Sequence, residues 1–451
     1  MKKFKPVYIT AIAFLCVITF FFGSVCYRFY RAKRYFDYGN VSSESSKIGN
    51  SSSTVSYDWS KKYPFDESQL YNSKKDYKKE SFAETEVKET ETEKEESSNY
   101  LSVVNGIKDS IDYYTTMLLP GRIKYVEANA RFNKTVGMNI IVGTDSVIVM
   151  KNGYLTFENS SVLTGAGAAE SLDWFDKALE KRGIDFAYIQ YPTKEKKDDN
   201  VLPAGAEDNS NKNADKLLTR LSNKGIKFVD MRTLLSQKDD DWYSNFFKTD
   251  HHWKPETGVW AAGKIIEMLN SDFGYSLDSG VGDISRYNVD VYKNYCLGSQ
   301  GKIATLTYAD PEDISLIYPK KKTNMTVTYN TDTPKTGRFE DVLFNTDSLN
   351  DDYYNTSVYS TYLSGNKALT TIMNNDCKNG IRILVIGDSY NKCVVPYLSQ
   401  AVENIDLLDR RYFDGSVLNY IDQTKPDVVL VAYTPTLIDN AEGHNSPYNF
   451  E

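Results

Sequence analysis

ILVIGDSYNK (383–392) is the stretch on which the fold turns. Its first four residues are apolar without alternation, the pattern of a strand buried on both faces of a parallel sheet. Gly387 permits a sharp turn, and Asp388 and Ser389 are residue types that open a helix. A strand running into a helix through such a turn is a βα junction. In open α/β sheets, ligands bind beyond the carboxyl ends of the strands at these junctions.

Working outward, the same alternation recurs. IRILVI (381–386), DVVLVAY (427–433), IDFAYIQY (184–191, ended by Pro192), IKFVDM (226–231) and a short piece at 405–408 read as strands. The stretch 168–182 reads as an amphipathic helix ended by Gly183, and 213–223 as another ended by Lys224-Gly225. A third covers 255–269, with Pro255 in the first turn. A helix at 392–403, interrupted by Pro396, and one at 415–424 complete the set. Strands alternating with helices predict a mainly parallel sheet with helices on both faces. Two β-like runs, MNIIVG (138–143) and SVIVMKNGYLTF (146–157), precede this unit, as does a helix at 101–119. Residues 277–379, rich in Tyr, Thr, Asn and Asp, break the rhythm and read as a β-rich insertion over the sheet edge, a lid or substrate platform.

The net charge of −8 argues against nucleic acid as a partner, since phosphate binding needs a basic surface. Tyr is frequent at 34 residues; its ring suits sugars, but it also fills ordinary cores. Of five Cys, only Cys296, Cys377 and Cys393 lie beyond the N-terminal apolar run, which allows at most one intramolecular disulfide. No CxxC pair suggests zinc.

With three His in the chain, a catalytic imidazole has to come from His251, His252 or His444. The first two stand in FFKTDHHWKPETG, and His444 in the terminal AEGHNSPYNFE, which reads as a surface tail. Ser is a weak nucleophile that needs a His to take its proton and a carboxylate to orient that His. Asp250 and His252, two apart before the helix at Pro255, can place a carboxylate against Nδ1 while Nε2 faces a hydroxyl. Gly-Asp-Ser alone is also an ordinary turn with an N-cap, and His-His alone a metal pair short of further ligands. Trp253 and Trp260 read as packing residues. The two motifs together are far more specific than either.

On Asp250-His251-His252-Trp253 and Gly387-Asp388-Ser389-Tyr390 the chain resembles the DHHW proteins of the SGNH-hydrolase-like superfamily, which are similar to alginate-type O-acetyltransferases. KNGYLTF (151–157) and YPTK (191–194) support the resemblance, which covers roughly 100–436. It implies a flavodoxin-like SGNH fold with permuted motif order, Asp and His preceding Ser. It also implies a catalytic Ser389–His252–Asp250 triad that transfers acetyl groups onto a polysaccharide acceptor. The acetyl donor would be delivered by a membrane-bound O-acyltransferase, with no cofactor and no metal. Alginate-type sequences carry a residue other than His where His251 stands, so His252 is the implied base. Arg411, Tyr390, Asn391 and His251 are the implied oxyanion or substrate contacts, Arg410 being an adjacent alternative to Arg411. Two other readings use the same residues: an O-acetyl esterase, and a non-catalytic glycan-binding scaffold on a decayed SGNH fold.

The N-terminal run VYITAIAFLCVITFFFGSVCY (7–27) is uncharged and, at about 1.5 Å per residue, long enough for the roughly 30 Å hydrocarbon core. A cleavable signal peptide would have a shorter apolar region ending in small residues. This run ends in Val-Cys-Tyr-Arg and reads as an uncleaved signal anchor. Lys2, Lys3 and Lys5 on one side face Arg28, Arg31, Lys33 and Arg34 on the other, so charge leaves the orientation open. The implied function places the catalytic domain outside the cell membrane. The expected layout is a cytoplasmic tail and anchor over 1–36, a disordered Ser/Lys/Glu-rich tether over 37–99, and a catalytic domain over 100–451.

Overall fold

The computed structural model describes residues 122–142, 145–238, 241–438 and 446–451. The anchor at 7–27, the tether, the helix at 101–119 and His444 lie outside them. Among the described residues no helix is long and apolar enough to cross a membrane. Residues 122–129 belong to one of two compact units; Ala130–Glu451, in the other, holds every strand among the described residues and the site.

Helix α1 (Arg122–Thr135) leads to a small antiparallel sheet of β1 (Ile140–Ile141), β2 (Val147–Val149) and β3 (Leu155–Phe157). SVIVMKNGYLTF is thus a hairpin. Its bend is made by Gly153 at φ +81°, a left-handed conformation that glycine adopts without Cβ strain. Then follow α2 (Ala166–Glu180), β4 (Asp185–Gln190), α3 (Ser210–Lys224), β5 (Phe228–Asp230), α4 (Met231–Ser236) and α5 (Pro255–Phe273). The anticipated insertion holds β6 (Tyr287–Cys296), α6 (Ser299–Ala304), β7 (Glu312–Pro319), β8 (Met325–Tyr329), β9 (Lys335–Gly337), α7 (Phe339–Leu343) and β10 (Leu369–Asn374). The chain closes with β11 (Arg382–Gly387), α8 (Val395–Leu398), β12 (Asn404–Leu408), α9 (Val417–Thr424) and β13 (Val428–Tyr433).

The main sheet has eight strands in the order β5-β4-β13-β11-β12-β10-β8-β9. The first five are parallel. Beyond β12 each pairing is antiparallel. The expectation of a mainly parallel sheet is therefore corrected to a mixed one. The insertion does not simply lie over an edge: β10, β8 and β9 continue the sheet past β12, while β6 and β7 form a separate antiparallel pair. Antiparallel strands need no crossover helix, so the rhythm that reveals βα units is lost there.

Both faces of the parallel half are buried, which explains its unbroken apolar runs. In β11, Ile383 and Val385 pack with α5 residues Val259, Ala262 and Ile266 on one face. Leu384 and Ile386 pack with Leu172 and Phe175 of α2, Leu217 and Leu221 of α3 and Ile421 of α9 on the other. Val429, Val431 and Tyr433 of β13 join the second face, and Val428 and Leu430 the first. Each such side chain contributes about 1.5–3 kcal/mol relative to exposure, so β11 is held firmly at the sheet centre.

The helix anticipated at 392–403 is shorter than its pattern suggests. A 3-10 turn covers Ser389–Cys393, and α8 ends at Leu398. Pro396 lacks an N–H and is tolerated only in the first turn of a helix, so it restarts the helix instead of continuing one. Cys296, Cys377 and Cys393 are all free.

Candidate active site

Ser389 sits half-buried just past the carboxyl end of β11, at the first position of the 3-10 turn. The turn is capped by Asp388, whose Oδ1 accepts from the Tyr390 N–H at 3.0 Å. Its Oδ2 accepts from the N–H and hydroxyl of Thr434, both at 2.8 Å, just after β13. Asp388 thus ties the ends of two adjacent strands. Burial raises its carboxyl above the ordinary range, against the charge of Arg411 and these hydrogen bonds. The Asn391 N–H is taken by the Asp388 carbonyl at 3.1 Å. The Ser389 N–H is the leading amide that this cap does not use.

The second motif is a loop between a 3-10 turn (Trp242–Asn245) and α5, closed by a bridge between Phe246 and Trp253. Two bonds fasten it to the serine turn: Trp253 Nε1–H donates to the Tyr390 carbonyl at 3.2 Å, and the Tyr390 hydroxyl to the His251 carbonyl at 2.5 Å. Trp253 is fully buried against Tyr191 and Tyr390, so it is the strut between the motifs.

This fastening brings the three residues into one line. His252 Nε2 lies 2.7 Å from Ser389 Oγ, and His252 Nδ1 lies 2.5 Å from Asp250 Oδ1. The same Oδ1 accepts from the His252 backbone N–H at 3.0 Å, and Oδ2 from the Ser299 N–H at 2.8 Å. A carboxylate has only acceptors to offer, so Nδ1 carries the imidazole proton and Nε2 is left to accept from the serine hydroxyl. Burial alone would raise the Asp250 carboxyl, but the His252 and His251 imidazoles and the hydrogen bonds from His252 and Ser299 hold it well below its ordinary value. His252 is lowered from its ordinary 6.5 by burial, with the charge of Asp250 opposing. The pair is therefore a carboxylate beside a neutral imidazole, the resting state a general base requires.

The other residues that the motifs single out lie around this line in different ways. His251 is partly exposed; its Nδ1 meets Ser299 Oγ at 2.8 Å, and burial lowers it well below its ordinary value. Tyr390 spends its hydroxyl on the His251 carbonyl. Asn391 is fully buried and faces inward: its Oδ1 accepts from the Tyr191 hydroxyl at 2.7 Å, and its Nδ2 donates to the carbonyls of Ala432 and Asp388. Its place is in the support of the turn. Arg411 is paired in two places with Asp409, at 2.9 and 2.6 Å, and its charge bears on Asp388 and His252. Arg410 turns away, donating to the Asn449 and Phe413 carbonyls. Of the two arginines, Arg411 is the one whose charge bears on Asp388 and His252.

Asp250, His251 and His252 also form a group with metal-ligand atoms, all within 4.8 Å of one another. Asp250 Oδ1 and His252 Nδ1 already share one proton-bearing contact, and His251 Nδ1 is engaged by Ser299. A cation at those atoms would have to displace these bonds.

The supports that the sequence reading missed come from far along the chain. Thr249 is gripped by Glu312, which accepts from its N–H and hydroxyl and from the Lys248 N–H at 2.5–2.7 Å. Gly298 packs so closely on Asp250 that a Cβ there would lie 2.1 Å from the Asp250 Cβ. Lys194, the last residue of YPTK, is buried with its ammonium donating to the Leu155 carbonyl and Gln300 Oε1, and burial lowers it to about 7. It knits the KNGYLTF hairpin to the insertion behind Asp250. Tyr359 stacks on His252 with ring centres 3.8 Å apart. Ser299, Gly298, Glu312 and Tyr359 all belong to the anticipated insertion, where no local pattern marks them.

Residues 156–341 match the family model described as the SGNH hydrolase-like domain of the acetyltransferase AlgX. The match includes Asp250 and His252 and stops short of Ser389. Among solved structures the chain is similar to PatB1 of Bacillus cereus, at 18% identity and a TM-score of 0.55, over 68% of this chain and 100% of that one. It is also similar to PatB1 carrying a sulfonyl adduct, at 20% identity and a TM-score of 0.55, over 68% and 99% of the two chains. A DHHW family protein from Eubacterium siraeum is similar at 20% identity and a TM-score of 0.50, over 67% and 97%. At these identities the likeness speaks for the fold. No curated protein matches the chain.

Proposed function

We propose that this chain, SGNH hydrolase-like over the AlgX-type region, is an O-acetyltransferase that carries an acetyl group on Ser389 and passes it to a hydroxyl of a polysaccharide. The observation that carries the reading is the unbroken line from Ser389 Oγ through both nitrogens of His252 to Asp250. In the first half-reaction Ser389 Oγ attacks the acetyl carbonyl as His252 Nε2 takes its proton. The bond to the donor oxygen breaks, and that oxygen receives the proton from the imidazolium. In the second half His252 takes the proton of a sugar hydroxyl, whose oxygen attacks the acetyl-serine. Ser389 Oγ leaves and recovers its proton. Asp250 stays ionised throughout and stabilises the imidazolium. The Ser389 N–H supplies one donor to the tetrahedral oxyanion, and the charge of Arg411 favours the same negative species.

Acetyl transfer is supported by the family description, whose namesake is an acetyltransferase, and the polysaccharide acceptor by the resemblance of the Asp250–Trp253 and Gly387–Tyr390 motifs to alginate-type O-acetyltransferases. The uncharged run at 7–27 supports a single-pass anchor; the outer-face placement of the domain and delivery of the acetyl group by a membrane-bound O-acyltransferase belong to the same reading and rest on the resemblance alone. The test is to incubate the purified full-length chain with p-nitrophenyl acetate, with and without an acceptor oligosaccharide. Acetylated oligosaccharide is the expected product. Acetate release that the acceptor does not alter would make the protein an esterase, and no turnover of the ester would make it a binding scaffold.

The pH profile follows from His252. Its folded value lies below 6.5, so the neutral base persists on the acid side of that value and is lost only as pH falls through it. Acylation of Ser389 is expected to fall along one acid limb with its midpoint below 6.5. Stopped-flow acylation rates across that range check this; a midpoint above 6.5 contradicts it.

A further inference from the structure

The His252 imidazole is held in a way the triad alone does not require. Tyr359 lies flat on it, with centres 3.8 Å apart and planes 13° apart. The His251 ring lies 3.8 Å away at 36°. Two rings this close to a third cannot share one of its faces without overlapping, so they take opposite faces. Tyr359 is fully buried, and its hydroxyl makes no conventional hydrogen bond; its polar neighbour is the Cys393 thiol. That hydroxyl gives the residue no reason to be tyrosine, which leaves the ring face as what matters. The Lys392 ammonium lies 5.0 Å from the same ring centre.

We propose that Tyr359 is a positioning residue for the acyl-transfer reaction. With His251 it clamps the His252 ring in the plane from which Nδ1 reaches Asp250 and Nε2 reaches Ser389, and its π face stabilises the imidazolium formed at each proton transfer. The torsion that turns an imidazole about its stem is broad. Hydrogen bonds at Nδ1 and Nε2 fix two ring atoms, and stacking on both faces fixes the plane. An aromatic face also attracts a cation, more so where water is excluded. The charged groups around the ring are Asp250 on its own loop, which favours the imidazolium, and Lys392 and Arg411 on the serine side, which oppose it. His251, Tyr390 and Ser389 complete the surroundings. Tyr359 therefore helps Asp250 against two cations. This assignment rests on the reaction proposed above only in calling the step acyl transfer; the clamp itself is a property of the ring contacts.

The experiment compares full-length Tyr359→Phe, Tyr359→Leu and Tyr359→Met, two apolar replacements guarding against one that fails to fold. His252 is titrated by NMR of its ring, and serine acylation by p-nitrophenyl acetate is followed against pH. Tyr359→Phe keeps the face and is expected to stay within about twofold of the parent rate with an unmoved titration. Leu and Met keep the site dry but lose the face. They are expected to lower the His252 midpoint by about half a unit or more and to slow acylation about tenfold. An unmoved midpoint in the folded non-aromatic variants overturns the clamp, as does a Phe variant as impaired as Leu. If the midpoints move as expected while the parent chain acylates nothing, the clamp stands and the transferase reading falls.

Discussion

Ser389→Ala is expected to abolish acetyl transfer, lowering turnover by about 10⁴–10⁶-fold while leaving the fold intact. Among the described residues, neither of the neighbouring thiol and phenol groups stands ready to replace the hydroxyl. The Cys393 thiol is fully buried and its acidity is suppressed by burial, and the Tyr390 hydroxyl is committed to the His251 carbonyl. The change removes one hydrogen bond at a half-buried position, worth about 1 kcal/mol to stability. Turn and strand stay in place because Asp388, Asn391 and Trp253 hold them. Two readouts are decisive: intact-protein mass after exposure to an acetyl ester, which should gain no acetyl group, and the acetyl content of the polymer in cells carrying the variant. An acetylated Ser389→Ala protein, or a polymer of unchanged acetyl content, would sink the assignment.

Asp250→Asn should come next, costing about 10⁴-fold in turnover for a different reason. Every bond to the Asp250 carboxylate is donated to it: Oδ1 takes two from His252 and Oδ2 one from Ser299. An amide has a single oxygen, so whichever way it turns, its NH₂ confronts an N–H. Facing His252, it drives the imidazole into the other tautomer, and Nε2 then presents a proton to Ser389 instead of a lone pair. Facing Ser299, it pushes against the loop at Gly298, which has no room to yield. In both cases the negative charge that stabilises the imidazolium is gone. Loss of the carboxylate lowers the His252 midpoint and leaves the base more fully neutral, so the rate loss should persist at every pH above that midpoint. Recovery of the parent rate above the His252 midpoint would show that Asp250 tunes acidity alone.

The parallel half of the fold and the line from Ser389 through His252 to Asp250 were legible in the sequence for related reasons. Strands buried on both faces have to be apolar throughout, so β11, β13 and β4 announce themselves. A hydroxyl nucleophile needs an imidazole, and a chain with three His narrows that search to the DHHW loop. The local turn signals then placed Ser389 at a junction. What stayed hidden is what local pattern cannot encode. The strands β8, β9 and β10 pair by register with residues distant in sequence, and nothing in MTVTYN says which edge it joins. Tyr359, Gly298 and Glu312 matter through contacts that span long loops, and one Tyr among 34 carries no mark of its neighbour. Asn391 shows the converse: beside a nucleophile it reads as a substrate contact, yet its amide is consumed by Tyr191, Ala432 and Asp388. Lys194 stands in YPTK, but its burial and its bond to Gln300 depend on the fold.

The strand that presents Ser389 bears on the order in which this protein matures. β11 is flanked by β13 and β12, both of which follow it in the chain, and the imidazole it meets lies 137 positions earlier. Closing so long a loop costs entropy before its contacts can offset it. As the chain emerges, His252 and Asp250 appear well before Ser389, and Ser389 before the strand that seals its far side. The Ser389–His252 contact therefore waits on β12 and β13, which follow Ser389 in the chain, and on closure of the long loop before it. A chain truncated before β13 holds Asp250, His252 and Ser389 without the strand that sets the end of β11 in place.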